Sequence, residues 1–165
     1  MTEDVEAMVS IIASVAEEGT IGPEPPVDLA AWALRYRDTI ASDGADAAWV
    51  LDDGGLVVGS ATVHERTAGV LYLGMVILPE ARGRGGGRAL LGAIAEHARA
   101  CGAHKLDLEA WVENARAIAL YASSGFEVEG LRRDHYRRRN GRLRSTLVMS
   151  RLIGDDSSTR PDQTP

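Results

Sequence analysis

The chain contains a single cysteine, Cys101, among its 165 residues. No internal disulfide can form, and a reducing, cytoplasmic setting is expected. No apolar stretch reaches the roughly eighteen residues that span a bilayer, so no membrane association is expected. No basic-then-apolar segment opens the chain, because Glu3, Asp4 and Glu6 stand where a signal peptide would carry positive charge. The first sixty residues hold only Arg35 and Arg37 as cations, against a dozen acids. With a net charge of −6, the chain does not have the make-up of a general nucleic-acid binder. His97, His104 and His135 show no ligand spacing with Cys101, so no metal site is expected.

The composition is that of an ordinary globular protein, 45% hydrophobic and 25% charged. That length supports one domain with a real core, taken as residues 1–153. Residues 154–165, polar and proline-bearing, read as a disordered tail.

The stretch Leu73 to Ala98, LGMVILPEARGRGGGRALLGAIAEHA, organises the rest. Leu73 to Leu78 is a continuous apolar run suited to a buried strand, and Pro79 closes it. Leu90, Leu91, Ile94, Ala95 and Ala98 recur at helical spacing and give a helix one apolar face. Between them lie Gly83, Gly85, Gly86 and Gly87, bracketed by Arg82, Arg84 and Arg88. A glycine-rich turn that opens a helix exposes unpaired N–H groups at the positive dipole end, a place for a phosphate or diphosphate. No Gly-Lys-Ser/Thr follows, which excludes a Walker loop, and the glycine spacing excludes the dinucleotide fingerprint.

Elsewhere, Glu3 to Glu18 reads as a helix with an acidic outer face, and Gly19 to Pro26 as a proline-stiffened loop. Asp28 is placed to cap a second helix running to about Ala41. Ala47–Leu51 and Leu56–Glu65 flank Asp52-Asp53-Gly54-Gly55 as a hairpin, with Val70–Leu78 as the next strand. Lys105–Val112 alternates as a strand, and Asn114 caps a short helix that Gly125 ends. The arginines of the segment 131–151 read either as a solvated face or as a site for an acidic substrate or partner.

Arg82-x-x-Gly85-x-Gly87 between a strand and a helix resembles the diphosphate-binding motif of the GNAT superfamily of N-acetyltransferases. Asn114-x-x-Ala117-x-x-Leu120-Tyr121-x-x-x-Gly125-Phe126 resembles the second motif of that superfamily, and the resemblance covers about residues 47–152. The pattern from Glu129 to Leu143 looks like bacterial members that acetylate free amino acids or protein N-termini, although Ser145 stands where such tails often carry aspartate. The resemblance implies an α/β fold: a mixed, mostly antiparallel twisted sheet flanked by helices and splayed where acetyl-CoA inserts. The superfamily usually opens with a strand, which here is either missing or supplied poorly by the first few residues.

By the same resemblance, Met75, Val76 and Ile77 offer main-chain groups to the pantetheine arm and thioester. Arg82, Gly83, Arg84, Gly85, Gly86, Gly87 and Arg88 hold the diphosphate. Asn114 touches the cofactor, and Tyr121 touches it and protonates the departing thiolate. The rival role for Tyr121 is core packing. Glu109 is the candidate base, with a solvent-facing strand carboxylate as the rival reading; His64 and Glu65 are second choices. An α-amine with a pKa near 7.8 costs only about 1 kcal/mol to deprotonate at neutral pH, against roughly 4–5 for a lysine, so a weak base suits an α-amine. The expected activity is acetyl transfer to a primary amine, a small molecule such as an amino acid first and a protein N-terminus second. A non-catalytic acyl-CoA-binding module is the alternative from another class. Homodimers being common in such families, a second copy is a candidate partner.

Overall fold

A computed structural model of the chain describes residues 2–154. The expected disordered tail therefore lies outside the described residues, apart from Gly154. The elements are α1 (Thr2–Ala16), α2 (Leu29–Ala41), β1 (Ala47–Asp53), β2 (Leu56–Thr67), β3 (Val70–Ile77), α3 (Gly86–Ala100), β4 (Lys105–Trp111), α4 (Ala115–Ser123), β5 (Glu127–Arg137) and β6 (Leu143–Leu152). Among the described residues no strand precedes α1, and the first few residues of the chain belong to that helix. No helix is long and apolar enough to cross a membrane among those residues.

The six strands form one sheet in the order β1-β2-β3-β4-β6-β5. Only β3 and β4 run parallel; the other pairs are antiparallel. The expected mixed, mostly antiparallel α/β architecture is what forms.

Strand alternation sorts the side chains onto two faces. On one face Leu71 and Leu73 of β3, Leu106, Leu108 and Ala110 of β4 and Met149 of β6 are buried against Leu90, Leu91, Ile94 and Ala98 of α3. Val76, of opposite parity to Leu73, is buried instead against Ile11 and Val15 of α1. Val5, Met8, Val9 and Tyr36 join α1 to α2 on that second face. Asp28 caps α2 by accepting from the Ala31 N–H at 3.0 Å.

The helices α1 and α2 lie against β1, β2 and β3. Beyond them the second face carries polar side chains from β4, β5 and β6: Lys105, Asp107, Glu109, Arg132, Tyr136, Thr146 and Ser150. That uneven covering places the candidate site at the middle of the sheet.

Candidate active site

The parallel seam between β3 and β4 is short. It pairs Val70 with Lys105, Leu71 with Leu106 and Tyr72 with Asp107, and then stops. From Leu73 onward β3 stays with β2, Met75 opposite Ala61, Val76 opposite Ser60 and Ile77 opposite Gly59. Meanwhile β4 stays with β6 as far as Trp111 opposite Thr146. The sheet is split into a wedge whose vertex is Tyr72, and Met75, Val76 and Ile77 lie along one wall of it.

At the mouth of the wedge sits the glycine turn. Gly83 has φ +77° and Gly85 φ +88°, the left-handed region that side chains rarely adopt, and a Cβ on either would meet nothing within 4 Å. Gly86 and Gly87 are needed for another reason. A Cβ on Gly86 would strike Leu51, and one on Gly87 would lie 2.7 Å from Leu120 Cδ2. Two glycines thus shape the turn and two let α3 settle into the core.

Gly85 is the N-cap of α3, with no side chain to satisfy the first amides and no acid in the first turn. The first intrahelical acceptor is the Gly85 carbonyl, taken by Ala89 N at 3.1 Å. The amides of Gly85, Gly86, Gly87 and Arg88 have no partner within the helix, and the positive dipole end is uncompensated. Open space, unpaired donors and positive potential together fit a diphosphate.

The arginines around the turn do not all fit as expected. Arg82 is committed elsewhere: its Nε donates to the Ile77 carbonyl at 2.9 Å, and its Nη1 and Nη2 donate to the Glu18 carboxylate at 2.8 and 3.0 Å. Arg84 pairs with Asp53 at 2.7 Å, an exposed pair of small energetic weight. Arg88 is exposed on the first turn of α3. The expected field of three arginines is therefore reduced, and the main chain is the better-placed anion ligand.

Tyr121 lies in the last turn of α4, 7% exposed, with its ring 5.7 Å from that of Phe126. Burial pushes its phenol up to about 12, with the nearby Tyr72 hydroxyl as the second cause. Tyr72 in turn is raised by its own burial and then by Glu109, while Arg66 and Arg132 oppose that rise. The sequence offered little to single out Tyr72. It is the one aromatic polar residue at the start of an apolar run, and only the sheet register reveals that it sits at the vertex.

Glu109 is far from being a free strand carboxylate. Tyr136 and Thr146 donate their hydroxyls to its Oε2 at 2.7 and 2.8 Å, and Arg132 Nη1 stands 3.0 Å from its Oε1. Its side chain is 7% exposed. Two hydroxyl donors and one ion pair hold this carboxylate in place. Burial, then the bond to Glu109, pushes the Tyr136 phenol up to about 12. The second-choice bases are likewise occupied: His64 Nδ1 lies 3.0 Å from Asp46 Oδ2, and Glu65 accepts from Gly69 N at 2.6 Å.

Asn114 caps α4 by accepting from Ala117 N at 3.2 Å, as its position in the sequence implied. Its amide also donates to the Thr20 carbonyl at 3.3 Å, which ties the cap to the loop between α1 and α2. The arginines of the β5–β6 hairpin hold the same loop. Arg144 donates to the Gly19 carbonyl at 2.6 Å, Arg138 to that of Gly22 at 2.7 Å and Arg139 to that of Pro25 at 2.6 Å. Arg138 also pairs with Glu24 at 3.1 Å, and Arg144 with Glu113 at 3.1 Å while lying 4.1 Å over the Trp111 ring. Neither a solvated face nor a site for an acidic partner describes these three. They staple a loop across the end of the wedge. Ser145 also has work of its own: its Oγ accepts from the N–H of Asp134, a residue with φ +50°, at 2.9 Å and stitches an irregularity in β5.

Comparison with known proteins gives a consistent picture. The description "Acetyltransferase (GNAT) family" matches residues 11–126. The chain is 34% identical over 125 residues to the L-methionine sulfoximine/L-methionine sulfone acetyltransferase of Pseudomonas aeruginosa, covering 71% of this chain and 70% of that protein. A phosphinothricin acetyltransferase from Sinorhizobium meliloti, solved in complex with AcCoA, superposes with a TM-score of 0.83 at 26% identity over 99% of this chain and 90% of that one. A ribosomal-protein-alanine N-acetyltransferase from Brucella melitensis superposes with a TM-score of 0.79 at 29% identity, covering 93% and 96%.

Proposed function

The chain belongs to the acetyltransferase (GNAT) family, and on that premise we propose that it moves an acetyl group from acetyl-CoA to the α-amine of a small molecule such as a free amino acid. The observation that carries this reading is the wedge that opens beyond Tyr72 and Asp107, with the unpaired amides of the glycine turn at its mouth. A long, anionic thioester has its diphosphate supported there and its acyl end laid between β3 and β4. Acetyl-CoA, when bound, supplies the activated acyl group and the thiolate leaving group.

The chain's own residues supply placement and protons. Gly83 to Arg88 hold the diphosphate through main-chain N–H groups, as a helix N-terminus does for anions. Met75, Val76 and Ile77 border the pantetheine arm along the strand edge that β4 leaves. Asn114 fixes the start of α4, and through it the height at which Tyr121 faces the wedge.

Tyr121 is the proton donor in this reading. With its phenol up at about 12, it stays neutral and able to donate throughout the physiological range. Set against a thiol near 8.5, full transfer from that phenol is uphill by about 5 kcal/mol before the buried site also raises the thiolate's affinity for a proton. That cost lies within what a positioned donor and a shared low-dielectric site can offset.

Glu109, with both oxygens engaged, serves to position Arg132 and Tyr136 rather than to receive a proton directly. An acceptor with an α-amine near 7.8 is compatible with that, since a large fraction is already neutral close to pH 8. The test is direct. Purified protein is mixed with acetyl-CoA and a panel of amines that includes amino acids, a peptide N-terminus and a polyamine, and free thiol is followed. Acceptor-dependent thiol release supports the proposal; cofactor binding without release on any acceptor contradicts it.

A further inference from the structure

The chain carries one lysine, Lys105, against seventeen arginines. Lysine is among the commonest residues of soluble proteins, so this is a departure. It matters in a protein whose co-substrate is an acetyl thioester. A neutral lysine amine attacks such a thioester and keeps the acetyl group as a lasting amide. A guanidinium, charged at every working pH, does not. Lys105 is therefore the one side chain here that can form such an amide.

Lys105 opens β4 on the polar second face, just before the vertex of the wedge. It pairs with Val70 in the parallel seam, and Asp107 pairs with Tyr72. Its side chain, 20% exposed, reaches across β6 to β5. There Nζ lies 2.9 Å from Glu129 Oε2, and it lies 3.3 Å from Asp107 Oδ1. Glu129 stands at a break in register between Val128 and Gly130, a bulge that re-aims the side chain it carries. Ser150 Oγ donates to the other Glu129 oxygen at 2.7 Å and fixes that carboxylate in place. The bond to Glu129 is the first cause that holds the Lys105 ammonium above its usual value. An ammonium has no lone pair with which to attack. Asp107 depends on the same arrangement, because its Oδ1 is buried without a hydrogen-bond partner and the Lys105 charge is what meets it. Acetylation would remove that charge and leave a buried carboxylate oxygen unmatched at the vertex.

We propose that Lys105 is a modification site at which acetyl-CoA loosens the closed end of the wedge, and that Glu129 is the guard that keeps it unmodified. In the step, the neutral Nζ attacks the thioester carbonyl carbon, so that a C–N bond forms and the C–S bond breaks. The proton lost by the nitrogen balances the departing thiolate, which leaves as free coenzyme A. Glu129 acts on the neutral fraction of the amine and does not touch the thioester. Arginine at the other cationic positions removes every competing side-chain amine. The inference needs acetyl-CoA alone and holds whichever amine is the acceptor.

The experiment incubates wild type, Glu129→Gln and the double variant Glu129→Gln/Lys105→Arg with acetyl-CoA at about pH 8 and no acceptor. A peptide with blocked ends and one lysine serves as the reference. Intact mass and peptide mapping follow the acetyl group at Lys105, with the amino terminus scored apart. Glu129 is exposed on an edge strand, so its substitution leaves the core alone. Wild-type Lys105 is expected to react at least about tenfold more slowly than the peptide, because a facing carboxylate favours the charged amine. Glu129→Gln raises that rate about tenfold, and its Tm falls as the acetyl group accumulates. The double variant gains no side-chain acetyl group and keeps its Tm through the same incubation. Wild-type Lys105 reacting at the peptide's rate, or Glu129→Gln reacting no faster than wild type, overturns the guard. An equal fall of Tm in the double variant, or none in fully modified Glu129→Gln, overturns the effect at the vertex.

Discussion

Tyr121 and Glu109 come from neighbouring elements, α4 and β4 respectively, yet the protein treats them in opposite ways. Tyr121 is enclosed by apolar side chains, and among the described residues its hydroxyl has no hydrogen-bond partner, so it is left available to a ligand. Glu109 is given two hydroxyl donors and an ion pair and is left with little to offer. Substituting Tyr121→Phe should leave acetyl-CoA affinity nearly unchanged and lower kcat by roughly 10²-fold or more, measured by calorimetric titration beside steady-state thiol release. An unchanged kcat would remove Tyr121 from the mechanism. The same residue sets a pH expectation. Its donor function is present below its pKa of about 12 and is lost only as pH rises through that value. The rate should therefore climb through the ionisation of the acceptor amine and stay level to about pH 10. A decline centred near pH 9 would point to a different acid.

Among the elements, the loop from Gly19 to Pro26 and the β5–β6 hairpin form the least anticipated pair. Removing Arg144 breaks the link to Gly19 and Glu113 and uncovers Trp111. Arg144→Ala is expected to raise the acceptor KM several-fold with little change in cofactor affinity; the reverse split would place the loop at the cofactor instead. The glycine turn allows a separate check. Gly87→Ala drives a Cβ towards Leu120, so it should cost about 1–3 kcal/mol and lower Tm by several degrees in a thermal melt. An unchanged Tm would mean that the Leu120 side chain turns aside at little cost, against the close packing described.

Much at this scale was legible beforehand, because its causes are local. The Asp28 and Asn114 caps, the Gly54-Gly55 turn and the alternation of β4 are written in residues a few positions apart. The arginine staples were not legible. Arg138 and Gly22 are separated by 116 residues, and nothing in either segment names the other. The bulges that aim Glu129 and accommodate Asp134 were hidden for the same reason, since register belongs to a pair of strands. Arg82 is instructive too. Its motif position was plain, but Glu18, which occupies it, lies 64 residues away.

Across the whole molecule, the acidic first third is met by arginines of the glycine turn and of the basic hairpin. Glu18 and Asp53 find Arg82 and Arg84 of the turn, and Glu24 finds Arg138 of the hairpin. The last of these pairs helps to fasten the loop after α1 to the half of the sheet that α1 and α2 do not cover. All four tyrosines, Tyr36, Tyr72, Tyr121 and Tyr136, have phenols pushed above their usual value, with burial as the first cause. A raised phenol contributes stability that is whole below the unfolded value of about 10 and is lost as pH rises through the folded one. Tm should therefore hold steady to about pH 9.5 and fall between about 10 and 12, less steeply in Tyr121→Phe. A melt insensitive to pH across that window would show that the phenols are not desolvated as described.

The most direct measurement is a crystal structure of the protein with acetyl-CoA. The diphosphate oxygens should lie about 2.7–3.2 Å from the main-chain nitrogens of the Gly83–Arg88 turn, with the acyl end entering between β3 and β4 beyond Tyr72. A complex in which those amides face only water, with the diphosphate held elsewhere and the wedge filled by side chains, would contradict it.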